Sequence, residues 1–128
     1  MNAHNRICIV DDDWIYQLVI RRMIEKQTPP PQVLTYSNGQ EAIDALRAAA
    51  ADADALPDVL LLDINMPVMD GWEFMDEYLQ LKSSLVKPLR IYIISSSIAP
   101  QDHEKARSYA DISGFLTKPV TEETLERL

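Results

Sequence analysis

An α/β fold, a doubly wound five-stranded parallel sheet with helices on both faces, is predicted for this chain of 128 residues. Three observations predict it. Short apolar, β-compatible runs alternate with segments of helical period five times over, and such alternation implies right-handed crossovers and a parallel sheet covered on both faces. No repeat and no linker divides the sequence, so one domain accounts for its length. Four of the five runs stop at groups that carry chemistry, and in a parallel sheet those ends share one edge, where open α/β sheets place their ligands. The order of the strands is not legible from the pattern.

The first strand is read at residues 7–10, which run straight into Asp11, Asp12 and Asp13. Residues 14–27 have helical period, with Ile15, Leu18, Val19 and Met23 expected on the inner arc and Asp13 placed to cap the N-terminus. Pro29, Pro30 and Pro31 end that helix, because proline cannot continue the hydrogen-bond ladder, and residues 33–36 form the second strand. Ser37-Asn38-Gly39 is a turn before a second helix, whose Ala42, Ala45, Leu46 and Ala49 allow close packing on a sheet. The alanine-rich stretch 48–55 is read as a helix end and loop.

The third strand, residues 59–62, is apolar throughout, as expected for a strand buried on both faces, and it stops at Asp63. After the turn closed by Gly71, a third helix should turn Trp72, Met75, Tyr78 and Leu79 inward and Glu73, Asp76, Glu77 and Gln80 outward. Residues 82–90 are a connecting loop, and residues 91–94 are a fourth strand ending in Ser95, Ser96 and Ser97. The helix at 100–110 has only His103, Ala106, Tyr109 and Ala110 for its inner face, which makes it the expected mobile element. Residues 114–117 are the fifth strand, followed by Lys118-Pro119 and a final helix that begins at Thr121.

Composition narrows the function. The net charge of -8, from 20 acidic against 12 basic residues, disfavours nucleic acid and anionic membrane surfaces as direct partners, and it suits divalent cations. No apolar run approaches a membrane span, and the first six residues lack a signal-peptide core, so a cytoplasmic protein is expected. Cys8, the single cysteine, permits no internal disulfide and is expected to be buried in the first strand. His103 has no partner histidine at ligand spacing and His4 lies in a tail expected to be disordered, which argues against zinc.

The strand ends carry Asp11 and Asp12, Asp63, Ser95 and Lys118. Carboxylates brought together must be protonated or share a cation, and all-oxygen ligands suit Mg²⁺. An ammonium and a hydroxyl beside that metal suit a phosphoryl group, whose oxygens need positive charge and donors. One carboxylate could then act as nucleophile and form an acyl phosphate.

These motifs, Val10-Asp11-Asp12, Asp63-Ile64-Asn65-Met66-Pro67 with Met69-Asp70-Gly71, Ser95-Ser96 and Lys118-Pro119, resemble a receiver domain of two-component response regulators, the CheY-like family. The resemblance covers the chain as a single receiver domain over 1–128, with its core from about residue 6, and implies a flavodoxin-like strand order of 2-1-3-4-5. It makes Asp63 the phosphoacceptor, taking a phosphoryl group from a sensor histidine kinase or histidine phosphotransfer protein. Asp11, Asp12, Asp63 and the backbone carbonyl of Asn65 would hold Mg²⁺, while Ser95 and Lys118 would bond the phosphoryl oxygens, Lys118 preceding a cis peptide to Pro119.

Signalling would pass through inward movement of Ser95 and of Phe115, reshaping the surface around the fourth helix and fifth strand. Phe115 lacks a tyrosine hydroxyl, so a purely steric switch is expected. Ser96 should leave Asp63 accessible, and Asn65 and Ser97 flank the site and influence acyl phosphate hydrolysis. Such a chain would catalyse its own phosphoryl transfer and dephosphorylation without being a classical enzyme and would act on an unidentified downstream protein; whether it forms a phosphorylation-dependent dimer is not legible from the sequence. The sequence offers no segment for an output domain beyond Leu128, so the expectation is a receiver that stands alone or has been excised. Two alternatives stand beside this one: a Mg²⁺-dependent phosphatase of the haloacid dehalogenase type, suggested by Asp11-Asp12-Asp13, and a receiver that binds proteins without being phosphorylated.

Overall fold

The computed structural model describes residues 6–128. His4 and the tail expected to be disordered therefore lie outside the described residues. Five parallel strands form one sheet in the order β2-β1-β3-β4-β5: β1 at Arg6–Val10, β2 at Gln32–Tyr36, β3 at Val59–Leu62, β4 at Arg90–Ser95 and β5 at Ile112–Thr117. The helices α1 (Trp14–Glu25), α2 (Gly39–Ala48), α3 (Gly71–Leu81), α4 (Pro100–Arg107) and α5 (Glu122–Glu126) alternate with them. A short 3₁₀ turn at Lys82–Ser84 lies within the expected loop. The five-fold alternation and the strand order both match expectation.

Alternation along the strands divides the core into two layers, because successive side chains point to opposite faces. Cys8, Val10, Leu60 and Leu62 join Ile43, Leu46, Phe74 and Met75 on the face covered by α2 and α3, with α4 contributing Ala106. Ile7, Ile9, Val59 and Leu61 join Ile20, Ile24, Val120 and Leu125 on the face covered by α1 and α5. The buried thiol of Cys8 is pushed well above its ordinary pKa by loss of solvent.

Helix starts follow their caps. Asp13 accepts the N–H groups of Ile15 and Tyr16, and Asn38 accepts that of Glu41. Asp70 and Glu73 form a reciprocal capping box at α3, and Thr121 caps α5. Two close approaches require glycine: a Cβ at Gly39 would lie 2.8 Å from the Met69 carbonyl oxygen, and one at Gly71 would lie 2.6 Å from that of Asp63. Peptide bonds Thr28–Pro29 and Lys118–Pro119 are cis.

The expected inner face of α1 is corrected. Ile15, Leu18 and Val19 are 57%, 40% and 40% exposed, whereas Ile20 and Ile24 are buried, with Tyr16 and Met23 partly buried beside them. The helix carries two adjoining apolar stripes of equal period, and the sheet takes the one centred on Ile20 and Ile24. Leu79 is likewise exposed, and Phe74 takes the inner position beside Trp72, Met75 and Tyr78. The first helix ends at Glu25 and α4 at Arg107, both short of expectation, and Ala110 lies past the end of α4 and is exposed.

The two stripes of α1 should separate in a urea titration. Ile24→Ala is expected to cost about 2–5 kcal/mol through the cavity it leaves. Leu18→Ser is expected to stay within about 0.5 kcal/mol of the parent.

Candidate functional site

The strand order places the ends of β1, β3 and β4 side by side, with β5 beyond them, and these ends build one acidic pocket. Asp11 follows β1, and its backbone N–H donates to the Tyr36 carbonyl while its Oδ1 accepts the Asp13 N–H at 2.9 Å. Asp63 follows β3, its N–H donating to the Val10 carbonyl at 2.9 Å. Both carboxylates are buried, 3% and 7% exposed, whereas Asp12 is exposed. One oxygen from each of Asp11, Asp12 and Asp63 lies within 4.8 Å of the others.

Lys118 reaches this cluster from the end of β5. Its Nζ donates to Asp11 Oδ2 at 3.0 Å and lies 3.9 Å from Asp63 Oδ1. The same ammonium sits 4.4 Å from the centroid of the Tyr16 ring, and the Tyr16 hydroxyl oxygen accepts the Val120 N–H at 3.2 Å. Gln17 Nε2 donates to the carbonyls of Asp11 and Tyr36, tying α1 to the loop that carries the acids. Sequence reasoning missed Tyr16 and Gln17, since an aromatic and an amide within a helix carry no sign of what lies beside them in space.

Ser95, at the end of β4, is buried, and its Oγ accepts the Ser97 N–H at 3.0 Å. Ser97 Oγ donates to Asp102 Oδ2 and accepts the Ala99 N–H, so the loop entering α4 is organised around two serines. Ser96 is exposed, as are Asn65, two residues beyond Asp63, and Pro119. Val68, in the same turn as Asn65, holds φ at 68°, a left-handed conformation costly for a β-branched side chain. Phe115 lies on β5 away from the acids and stacks on His103 of α4, ring centroids 3.9 Å apart.

Burial and charge together set the ionisation of the site. Burial raises the Asp63 pKa first, Asp11 and Asp12 add repulsion, and Lys118 and the Ile64 N–H oppose them, leaving it at about 6. For Lys118, burial pulls downward, but the Asp11 hydrogen bond and the charges of Asp63 and Asp11 carry the net shift upward. The donor set is entirely oxygen and already crowded with negative charge, which fits a hard divalent cation such as Mg²⁺.

The family profile described as response regulator receiver domain matches residues 7–128. The chain belongs to this family. Among curated relatives, this receiver is 26% identical over 121 residues to the probable methanogenesis regulatory protein FilR2 of Methanothrix harundinacea (strain 6Ac), covering 94% of this chain and 76% of that one. It is 31% identical over 121 residues to a protein-glutamate methylesterase/protein-glutamine glutaminase of Halalkalibacterium halodurans, covering 93% of this chain but only 32% of the relative. The crystal structure of a two component response regulator from Cytophaga hutchinsonii superposes with a TM-score of 0.84 at 26% identity, over 98% of this receiver and 94% of that chain. No helix among the described residues is long and apolar enough to cross a membrane.

A pH dependence follows from Asp63. Its pKa is about 6 in the folded protein against about 3.9 in an unfolded chain, so the folded state binds the proton more tightly. The metal-free protein should therefore lose stability as pH rises from about 4 through about 6. Asp63→Asn is expected to be more stable than the parent at pH 7, by about 1–3 kcal/mol, with the gap closing by about pH 4. Chemical denaturation across that pH range, with chelator present, measures it.

Proposed function

We propose that this receiver is a phosphorylation-activated switch in which Asp63 accepts a phosphoryl group from the phosphohistidine of a kinase or phosphotransfer protein. The observation that carries the reading is the single pocket of Asp11, Asp12, Asp63 and Lys118, held at one sheet edge in a chain of the receiver family. In the transfer, an Asp63 carboxylate oxygen attacks phosphorus, the phosphorus–nitrogen bond of the donor imidazole breaks, and the imidazole leaves with its electron pair. Mg²⁺, when bound, would neutralise oxygens of the transferred group. Its ligands would be Asp11, Asp12, Asp63 and the backbone carbonyl of Asn65.

Each protein group has a part that needs no further cofactor. The raised pKa of Asp63 sits near 6, so most of the carboxylate is ionised at pH 7 and ready to act as nucleophile. Lys118 supplies a cation already 3.9 Å from Oδ1 of Asp63. Ser95 offers a hydroxyl at the neighbouring strand end, with exposed Ser96 leaving the approach open. Asn65 and Ser97 flank the pocket and would tune hydrolysis of the acyl phosphate.

The donor and the output occupy different surfaces in this reading. The exposed row Trp14, Ile15, Leu18 and Val19 starts two residues after Asp12, which supports a helical phosphohistidine protein docking along α1 while it presents its imidazole to Asp63. Output runs through Ser95 and Phe115 to α4 and β5, where the His103 stack must rearrange if the Phe115 ring moves. With no phenolic hydroxyl on that ring, the switch is steric. The downstream target is a protein that reads this surface.

With Mg²⁺ and acetyl phosphate, intact-mass analysis is expected to find one acid-labile phosphoryl group on the parent and none on Asp63→Asn. Chelation of Mg²⁺ should abolish uptake. An unmodified parent beside a competent control receiver would sink the proposal. For the output half, Phe115→Ala is expected to keep uptake while losing the beryllofluoride-induced amide shifts across α4 and β5 seen by NMR in the parent.

A further inference from the structure

Lys118 is held by two unlike contacts. Its shortest ion pair is with Asp11 at 3.0 Å, rather than with Asp63 at 3.9 Å. On a second side the ammonium faces the Tyr16 ring, 4.4 Å from the centroid. Tyr16 is itself fixed at its far end, where the hydroxyl accepts the N–H of Val120, the residue after Pro119. It is also partly buried against the core layer containing Ile20, Ile24 and Val120. One side chain of α1 thus touches both the amine of Lys118 and the backbone just beyond it.

The arrangement answers a problem posed by the acids. Asp11 is a member of the three-carboxylate cluster, and a divalent cation bound there would occupy the carboxylate that Lys118 now uses and would repel its ammonium. A lysine on a flexible four-carbon stem would then swing toward water, to which its side chain is 20% open. Asp63, the other carboxylate near it at 3.9 Å, belongs to the same cluster and would be drawn on by the same cation. An aromatic face attracts an ammonium through its quadrupole, carries no net charge and offers the metal no ligand.

We propose that Tyr16 is a positioning residue for Lys118. Its ring holds the ammonium beside Asp63 when Asp11 is engaged by a cation, and its hydroxyl anchors the chain that follows Pro119. This rests on the phosphoacceptor reading of Asp63 for its consequence, but the contact itself does not. Tyr16 touches neither the incoming phosphoryl group nor the metal; it acts through Lys118.

Two measurements test it. In the metal-free protein, ring current from Tyr16 should shift the Lys118 ε-methylene protons upfield. The shift should survive in Tyr16→Phe, vanish in Tyr16→Leu, and persist in the parent when Mg²⁺ is added. Second, the affinity for beryllofluoride with Mg²⁺ should fall about three- to ten-fold in Tyr16→Leu, the loss expected of one partly desolvated cation–π contact. Tyr16→Phe should stay within about two-fold of the parent, and in a Lys118→Ala background Tyr16→Leu should cost less than about two-fold more.

If Tyr16→Leu does not fold, Tyr16→Met offers a longer, adaptable side chain without a ring and makes the same comparison. Parental affinity in the ringless variant, an equal loss in both backgrounds, or a loss in Tyr16→Phe as large as in Tyr16→Leu would each overturn the proposal, as would an absent ring-current shift. A parent that binds no beryllofluoride while showing the ring-current shift would instead overturn the phosphoacceptor reading and leave the contact standing.

Discussion

Mutual repulsion among carboxylates at one sheet edge is the constraint on which the site depends. Parallel pairing of β1 with β3 forces Asp11 and Asp63 out of the same edge, and Asp12 joins them from the adjoining turn. Lys118 brings one positive charge to these three negative ones, which leaves two negative charges, the complement of one divalent cation. Burial raises the Asp63 pKa first, and repulsion from Asp11 and Asp12 adds to it. Such an excess of negative charge is the kind that a hard divalent cation balances.

The rest of the fold supplies rigidity where this pocket needs it. Val59, Leu60, Leu61 and Leu62 are buried on both faces and deliver Asp63 from the middle of the sheet. Gly71 seals the following turn, its N–H donating to the Ile64 carbonyl at 2.8 Å with no room for a side chain beside Asp63. The turn between them absorbs the strain at Val68. Between β4 and α4, by contrast, the backbone rests on the hydroxyls of Ser95 and Ser97, contacts that a competing acceptor could redirect. Asp63 is anchored at the end of a packed strand, whereas Ser95 sits at a turn held by exchangeable hydrogen bonds.

Much of this was legible because β3 is uniformly apolar and stops abruptly at an acid, and because β1, β4 and β5 also end in reactive side chains. Periodicity alone left the strand order open; the resemblance to receivers supplied 2-1-3-4-5. The orientation of α1 was misread for a physical reason: Ile15, Leu18 and Val19 repeat with the same period as Tyr16, Ile20 and Ile24, and only the sheet decides between the stripes. Leu79 was misplaced inward because its neighbours Trp72, Met75 and Tyr78 are buried, yet Phe74 completes that face. The choice by Lys118 of Asp11 over Asp63, and its contact with Tyr16, join residues more than a hundred positions apart and leave no mark in local sequence.

Cys8 gives the molecule a property unrelated to signalling. It is the sole cysteine, it lies 2% exposed on a strand flanked on both sides, and burial holds its thiol in the unreactive protonated form. An alkylating reagent meets this sulfur only when the helix layer over β1, with Ala42, Ile43 and Leu46 of α2, opens. Its labelling rate is therefore a built-in clock for opening of the core, readable without any introduced probe.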